Sequence, residues 1–170
     1  MDAKERILAG ASSGFVSTFV LSGLRMALAA IGVVYTTAPE QVFRRAEELG
    51  LLEGLSPNAR RALMLAAHFL YGTVFGTVFG VLRRTDEEPE SEIAAELRGN
   101  RDDPQTEAAV GATLGVLSWG AGWAGWLPIA GVHPAPWTQK TPRAILPVVD
   151  HAVFGAAWGL IYWILTRRRA

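Results

Sequence analysis

Residues 62–82 read ALMLAAHFLYGTVFGTVFGVL and contain no charged side chain. A helix needs about 20 apolar residues to cross the roughly 30 Å hydrocarbon core of a bilayer, so this stretch predicts a transmembrane helix. Ser56 and Pro57 precede it as an N-cap and a first-turn proline, which extends the predicted span to 58–82. Further apolar runs along the chain predict three more spans, which are 7–35, 108–128 and 143–166. The predicted fold class is an all-α integral membrane protein with a four-helix transmembrane bundle.

The first span has a competing interpretation as a cleaved signal peptide. Lys4 and Arg6 precede its apolar stretch, and small residues follow at 27–30. The apolar stretch is longer than a signal peptide needs, however, and Arg25 lies directly before the position where cleavage would occur. We therefore predict a span that is retained.

The composition fits a membrane protein and excludes several functions. Apolar residues make up 50% of the chain and charged residues 19%, against about 25% charged residues in soluble domains. The formal net charge is zero, so no basic field favours nucleic acid as a partner. Cysteine is absent, which excludes disulfides, thiolate catalysis and cysteine-bound zinc. The sequence also has no phosphate-binding loop, nucleophile elbow or pair of catalytic carboxylates.

The distribution of basic residues predicts the orientation in the membrane. Four spans place both termini on one side, and more arginine and lysine residues flank that side than the other. The basic residues on the side of the termini are Lys4, Arg6, Arg83, Arg84, Arg98, Arg101, Arg167, Arg168 and Arg169. Because positive charge favours the cytoplasmic side, we predict a bacterial inner-membrane protein with both termini in the cytoplasm.

Two of the connecting segments have a distinctive composition. Residues 85–107 form a predicted cytoplasmic loop rich in Asp and Glu, which we interpret as a solvated loop or, alternatively, as a docking segment for a basic partner. Apolar residues in 39–52 recur with helical spacing among charged residues. This pattern predicts an amphipathic helix that lies on the outer surface or covers the bundle as a lid.

The two halves of the chain carry matching motifs, which we interpret as an internal repeat. Matching residues, in chain order, are Gly10 and Gly111, Gly14 and Gly115, Ser17 and Ser118, His68 and His151, Gly72 and Gly155, and Gly76 and Gly159. Repeat one is predicted at 7–84 and repeat two at 108–169, and each ends in arginines. Since each repeat contains an even number of spans, the two copies run in the same direction across the membrane.

Glycines form a stripe along each predicted span. They are Gly10, Gly14, Gly72, Gly76, Gly80, Gly111, Gly115, Gly155 and Gly159. Lipid tails give helices no hydrophobic reason to associate, so small residues that allow close backbone approach favour their packing. We predict that these stripes pack helices within the bundle, or between protomers of a homo-oligomer or larger membrane complex. A glycine-lined pore is the alternative.

Ionisable residues inside predicted spans are candidates for function, because they are costly there. The candidate polar cluster lies toward the outer ends of the spans and consists of Arg25, His68, His133, Asp150 and His151. Asp150 is the first choice of partner for Arg25, and Glu40 is the second.

His68 and His151 allow several interpretations. A facing pair would sense protons, because histidine titrates near neutral pH. A second interpretation is that the two histidines bind a metal or a cofactor. A third is that they bind an anionic head group together with Arg25. In a packing role, each histidine would hydrogen-bond a neighbouring helix through Ser17, Ser118 or a carbonyl. Two histidines and one aspartate are too few for a convincing metal site, so we predict neither a metal nor a cofactor.

Three motifs carry a family resemblance. Span three opens with Gly111-Ala112, a loop with the pattern Pro128-x-x-Gly131-x-x-Pro134-x-Pro136-Trp137 follows it, and Asp150-His151 with Gly155 marks span four. Through these motifs, spans two to four resemble the YagU-like bacterial inner-membrane proteins, which also have a histidine in the span that matches span two. The resemblance implies a polytopic inner-membrane protein without an established activity, and no catalytic residue carries over. The segment 39–52 departs from the family pattern.

The predicted function is non-enzymatic, that of an accessory or envelope-stress protein in the lipid bilayer that assembles through its glycine-rich faces. The first alternative is a small transporter or channel that acts as a homo-oligomer, with the polar cluster at its outer mouth. The second alternative is a pigment- or quinone-binding subunit, in which Trp119, Trp123 and Trp158 would stack on the ligand rather than pack in the core.

Overall fold

The structure is a computed structural model that describes residues 1–32, 37–83 and 103–167, without the side chains of 141–143. All regular elements in these ranges are helical. The α-helices are α1 (Ala3–Ala30), α2 (Ala38–Glu48), α3 (Pro57–Leu82), α4 (Pro104–Ala121), α5 (Leu127–Ile129) and α6 (Thr141–Thr166). A π-helical turn, Gly122–Trp126, joins α4 to α5, and a 3-10 turn, Pro136–Thr138, precedes α6.

Side chains at the helix starts explain where four of the helices begin. Asp2 and Thr37 cap α1 and α2 in capping boxes, in which the cap side chain and a glutamate three residues later satisfy each other's backbone N–H groups. Ser56 caps α3 directly before its first-turn proline, which confirms the predicted start of that helix. Asp103 caps α4 in a similar way.

Three helices are long and apolar enough to cross a membrane, namely α1, α3 and the Ala144–Thr166 part of α6. They support an all-α membrane protein, but the third predicted span, 108–128, is not a helix of this kind. α4 begins earlier and carries Glu107 in its polar first turn, and the π-helical turn at Gly122 ends the α-helix before the apolar run is complete. The described part of the chain therefore has three candidate spans rather than four.

The glycine stripes hold the long helices in two antiparallel pairs, α1 with α3 and α4 with α6. A Cβ atom added at Gly10 would lie 2.9 Å from the Cα of Gly80, and one added at Gly111 would lie 3.0 Å from the amide nitrogen of Gly159. All the glycines named in the stripes meet backbone or side-chain atoms of another helix at such short distances. Their absent side chains therefore allow the close approach of each pair, and they are engaged within the chain.

The register of the two pairs differs by one helical turn. In the first pair Gly14 lies against the carbonyl of Gly72, whereas in the second pair Gly115, the sequence match of Gly14, lies against the carbonyl of His151. The packing thus makes His151 the counterpart of Gly72. The predicted equivalence of His68 and His151 does not hold in the packed structure.

The two pairs meet mainly where α1 packs against α6. The buried core along this interface is aromatic, with Leu21 joined by Phe79, Phe154, Trp158 and Tyr162. In contrast, α3 makes few contacts with either α4 or α6. The ends of the four long helices define two sides: the terminal end, where α1 and α4 begin, and the loop end, which carries α2.

The amphipathic helix is shorter than the predicted 39–52. It ends at Glu48, and Gly50 then turns the chain with a φ of 74°, a value that favours glycine. Val42 and Phe43 are half-buried, whereas Leu49 after the helix is exposed. The apolar face of α2 is therefore turned toward the protein only in part.

Most of the predicted acidic loop, 85–107, lies outside the described residues. Its last residues form the cap and the first turn of α4. Glu107, which the sequence placed in a solvated loop, is only 2% exposed. The prediction of a solvated segment is therefore wrong for Glu107, because this residue lies on a helix that packs against α6.

Candidate functional site

The predicted polar cluster contains an ion pair that joins the two helix pairs. The guanidinium of Arg25 on α1 contacts the carboxylate of Asp150 on α6. The Asp150 side chain is 1% exposed and that of Arg25 is 14% exposed, so the pair is largely enclosed by protein. The predicted partner of Arg25 is confirmed, and the second choice, Glu40, instead completes the cap of α2.

His68 connects the two helices of the first pair. Its Nε2 atom lies 3.2 Å from the Oγ of Ser22 on α1, within hydrogen-bonding distance. A bond to a neighbouring helix is what the packing role predicts, but the serine is not the one expected. Ser17 donates instead to the carbonyl of Ser13, four residues earlier in its own helix.

His151 lies next to the ion pair and is bonded within its own helix. Its Nδ1 atom donates to the carbonyl of Pro147 at 2.7 Å, and since a carbonyl can only accept, the proton is on Nδ1. No hydrogen bond within the described residues joins His68 to His151, so the sensing pair stays a prediction.

His133 occupies a separate place in the loop between α5 and α6. Its ring stacks on Trp123 with 4.0 Å between the centroids, and its Nδ1 donates to the carbonyl of Pro134 at 2.7 Å. Within the described ranges, no hydrogen bond or ion pair links it to Arg25 or Asp150. The structure therefore removes His133 from the cluster that the sequence predicted.

A second buried ion pair lies at the terminal end and was not predicted from the sequence. Arg83, directly after α3, pairs with Glu107 in the first turn of α4, and both side chains are 3% exposed. Arg6 is buried at the same end, where its Nη1 donates to the carbonyl of Met1 at 3.0 Å. The available signal was that Arg83 and Glu107 have opposite charges and bound the same loop, each next to an apolar helix.

Polar contacts connect the first helix pair to the second, whereas the closest contacts of the stripe glycines lie within the pairs. The ion pair of Arg25 joins α1 to α6, and that of Arg83 joins α3 to α4 at the terminal end. At the loop end, the Nε of Arg45 on α2 donates to the carbonyl of Ala130 at 3.2 Å. The arrangement of the two pairs therefore depends on groups that would be costly to leave buried and unpaired.

The deep tryptophans pack into the protein. Trp158 is 1% exposed, and its ring lies nearly parallel to that of Phe75 with 6.1 Å between the centroids. The indole nitrogens of Trp119, Trp123 and Trp158 are buried without a hydrogen-bond partner in the described part of the chain. Trp158 is thus a core residue, as the packing interpretation predicts.

The arrangement can neutralise charge and anchor helices. No group of three His, Asp or Glu side chains among the described residues could hold a metal ion. No protein-family model, characterised protein or solved structure matches the chain. The resemblance to the YagU-like proteins consequently stays a prediction, and the function has to be argued from the residues of this chain.

Proposed function

We propose that the chain is a non-enzymatic, four-pass protein of a bacterial inner membrane, with both termini in the cytoplasm, that acts as an accessory subunit of a membrane assembly. The observation that carries this proposal is the mutual neutralisation of its buried charges, Arg25 with Asp150 and Arg83 with Glu107. Separating such a pair would leave a buried charge without its partner, so each pair favours the arrangement in which its two helices meet. Such an arrangement suits a protein that presents a surface to partners.

The fourth pass in this proposal is the helical run formed by α4, the π-helical turn and α5. This run extends to Ile129 and contains no charged residue after Glu107. The N–H of Leu127 bonds to the carbonyl of Gly122, so the backbone remains satisfied within the helix through the π-helical turn. Internal satisfaction of backbone groups is what a membrane requires of a spanning segment.

The surface that we propose for assembly differs from the one predicted from the sequence. The glycine stripes are occupied within the chain, so a partner must use another face. Phe15 and Phe19 on α1 are 45% and 57% exposed, and their rings lie 5.1 Å and 4.7 Å from that of Phe69 on α3. This exposed aromatic face is the part of the first helix pair that we propose meets a second copy or another membrane protein.

The test is the size of the protein in its native lipid. Extracted with a polymer that retains the surrounding bilayer, the wild-type protein should form a particle whose protein mass exceeds the 18.3 kDa of one chain. Replacement of Phe15 and Phe19 by Ala should reduce that mass, whereas Leu160→Ala, at an exposed site on α6, should not. A wild-type chain that is alone in its native lipid contradicts the proposal.

A small transporter or channel is the second candidate, because Arg25, Asp150 and His151 lie together on helices of membrane-spanning length. Proteoliposomes with a trapped pH dye measure proton flux directly. Flux that is lost in a chain carrying both His68→Ala and His151→Ala would support this candidate. Absence of flux, or flux that these changes leave unaltered, would count against it.

A further inference from the structure

An apolar cavity of about 180 Å³ opens between α3 and α4, where these two helices barely touch. Its lining includes Phe75, Val78 and Phe79 of α3, Leu114 and Leu117 of α4, and Trp158 of α6. Phe79 and Trp158 are 0% and 1% exposed, whereas Val78 and Leu117 are 47% and 62% exposed. The cavity therefore has a buried aromatic floor and a mouth on the outside of the bundle.

Contacts beyond both ends of this cavity join α3 to α4 and to the π-helical turn that follows it. Toward the loop end, the hydroxyl of Tyr71 packs against Gly122, where it would lie 3.4 Å from an added Cβ atom. Toward the terminal end, Arg83 pairs with Glu107, one helical turn beyond Phe79. α3 and α4 are thus held together at two levels and separated between them, along a line that we call the α3–α4 seam.

The seam is the place where the two helix pairs can separate with the least loss of packing. Glycine contacts make each pair a tight unit, and the extensive interface of α1 with α6 joins the units on the other side. The ion pair of Arg25 and Asp150 lies in that interface. Opening the seam, by contrast, leaves that interface in place and breaks the ion pair of Arg83 together with the ring contacts of Phe75 and Phe79 with α6.

We propose that the cavity binds one acyl chain of a membrane phospholipid, which enters through the α3–α4 seam, and that the ion pair of Arg83 with Glu107 is the clasp that limits entry. The walls are aliphatic and aromatic, so the occupant is apolar. The one hydroxyl of the lining, that of Ser118, already donates to the carbonyl of Gly115 at 2.7 Å. Because α3 has the length and composition of a membrane span, hydrocarbon from the bilayer is what surrounds the mouth.

The size of the cavity favours a lipid chain over a second copy of the protein. A volume of about 180 Å³ equals that of about six water molecules at roughly 30 Å³ each. A helix with its side chains is roughly 10 Å wide and cannot enter such a space, whereas several methylene groups of a flexible chain can.

Quenching of Trp158 fluorescence tests this proposal. The full chain, with every other tryptophan replaced by Phe, is reconstituted in phosphatidylcholine whose acyl chains carry bromine, which quenches an indole on contact. The emission of Trp158 should fall by at least half relative to unbrominated lipid, despite its burial. Leu114→Phe, which fills the cavity, should restore most of the emission. Leu160→Phe, at an exposed site outside the lining, should not.

The clasp is tested in the wild-type background with a phosphatidylcholine that carries a photoreactive group in its acyl chain. Mass spectrometry should locate adducts on the lining residues of α3 and α4. Glu107→Gln, which removes the charge and keeps the shape, should increase this labelling. Asp103→Asn, which changes a nearby charge and keeps a capping side chain, should leave it unchanged.

Two results would overturn the proposal. Trp158 emission that bromine does not change, together with no adducts on the lining, means that no chain enters. Self-crosslinking of a Leu117→Cys chain with an unlabelled cavity means that a second copy covers the seam. Neither result depends on the particle mass that tests the accessory function, so the two proposals fail separately.

Discussion

At the residue scale, the partner of Arg25 could be predicted because a lone charge in hydrocarbon is costly. Asp150 is the only acidic residue within the four predicted spans, so it is the one acidic partner that a span offers to Arg25. The pairing of Arg83 with Glu107 could not be predicted, because it depends on how the ends of α3 and α4 come together in space. From their positions in the sequence, both residues were expected at the membrane surface, where charged side chains are ordinarily solvated.

Removal of Asp150 should destabilise the fold by leaving Arg25 buried without its partner. We expect Asp150→Ala to lower the free energy of unfolding by about 3–5 kcal/mol, and the double change with Arg25→Ala to cost less than the sum of the single changes. Glu48→Ala, which breaks the surface pair with Arg45, should cost no more than about 1 kcal/mol. Unfolding by SDS in mixed micelles gives these values. Additive costs for Arg25 and Asp150 would show that the pair is not coupled.

Two glycines on α1 form a matched pair for testing the helix contacts. A Cβ at Gly14 would lie 2.9 Å from the Cα of Gly76, and backbone atoms cannot move aside easily, so Gly14→Ala should destabilise the protein by about 1–3 kcal/mol or more. Gly23 has no atom within 4 Å of its added Cβ, so Gly23→Ala should be neutral or stabilising by up to about 1 kcal/mol. Equal effects in thermal unfolding would contradict the packing that we describe.

At the scale of elements, the start of α3 was predictable, whereas the earlier starts of α1 and α4 and the end of α4 were not. The serine-proline signal placed the start of α3 correctly, because the cap satisfies backbone donors through local side-chain chemistry. In the π-helical turn Gly122–Trp126, backbone hydrogen bonds reach back five residues instead of four. Such a turn produces no recognisable spacing of apolar residues in the sequence. The third predicted span therefore extended across a turn that the sequence does not mark.

The packing register of the two helix pairs could not be predicted from the sequence motifs either. The reason is that α3 has a third glycine, Gly80, with no counterpart in α6. Matching histidine to histidine aligned the motifs, but close packing depends on where side chains are absent. α3 provides Gly80 against the carbonyl of Arg6, whereas the residue one turn beyond Gly159 in α6 is Trp163. The second pair therefore packs one turn away from the aligned register, with Gly159 against Glu107.

The start of α4 should depend on pH through its cap. Hydrogen bonds from the side chain and backbone of Thr106 hold the pKa of the Asp103 carboxyl below its ordinary value of 3.8. Since the folded pKa is lower than the unfolded one, the cap stabilises the protein above pH 3.8 and this contribution is lost as the pH falls through the folded pKa. Asp103→Ala should lower the melting temperature at neutral pH and have little effect in strong acid.

Asp103→Asn is the control for this experiment, because asparagine caps a helix without titrating. It should keep most of the stability at neutral pH and lose the pH dependence. A loss from Asp103→Ala that is equal at all pH values would mean that the carboxylate charge does not contribute to the cap.

At the scale of the whole molecule, two tight helix pairs are joined on one side by the interface of α1 with α6, which includes the ion pair of Arg25 and Asp150, and on the other side by the ion pair of Arg83 and Glu107. The sequence motifs predicted two similar units, but they carried no information on which helices of different units would meet. The contact of α1 with α6 and the open seam between α3 and α4 make the molecule asymmetric. This asymmetry gives the proposed lipid cavity a single opening and leaves the aromatic face of the first pair on the outside.

The four-pass topology that we propose can be tested directly, because the chain has no native cysteine. Single cysteines at the exposed positions Glu53 and Thr138 mark the loop end, and those at Lys4 and Gln105 mark the terminal end. In right-side-out membrane vesicles, an impermeant maleimide should label the first two, and it should label the other two only in inverted vesicles. Because Gln105 and Thr138 flank the run of α4 and α5, their labelling from the same side would mean that this run does not cross the membrane. Opposite labelling, with the terminal end inside, is the result that four passes and the excess of basic residues at that end require.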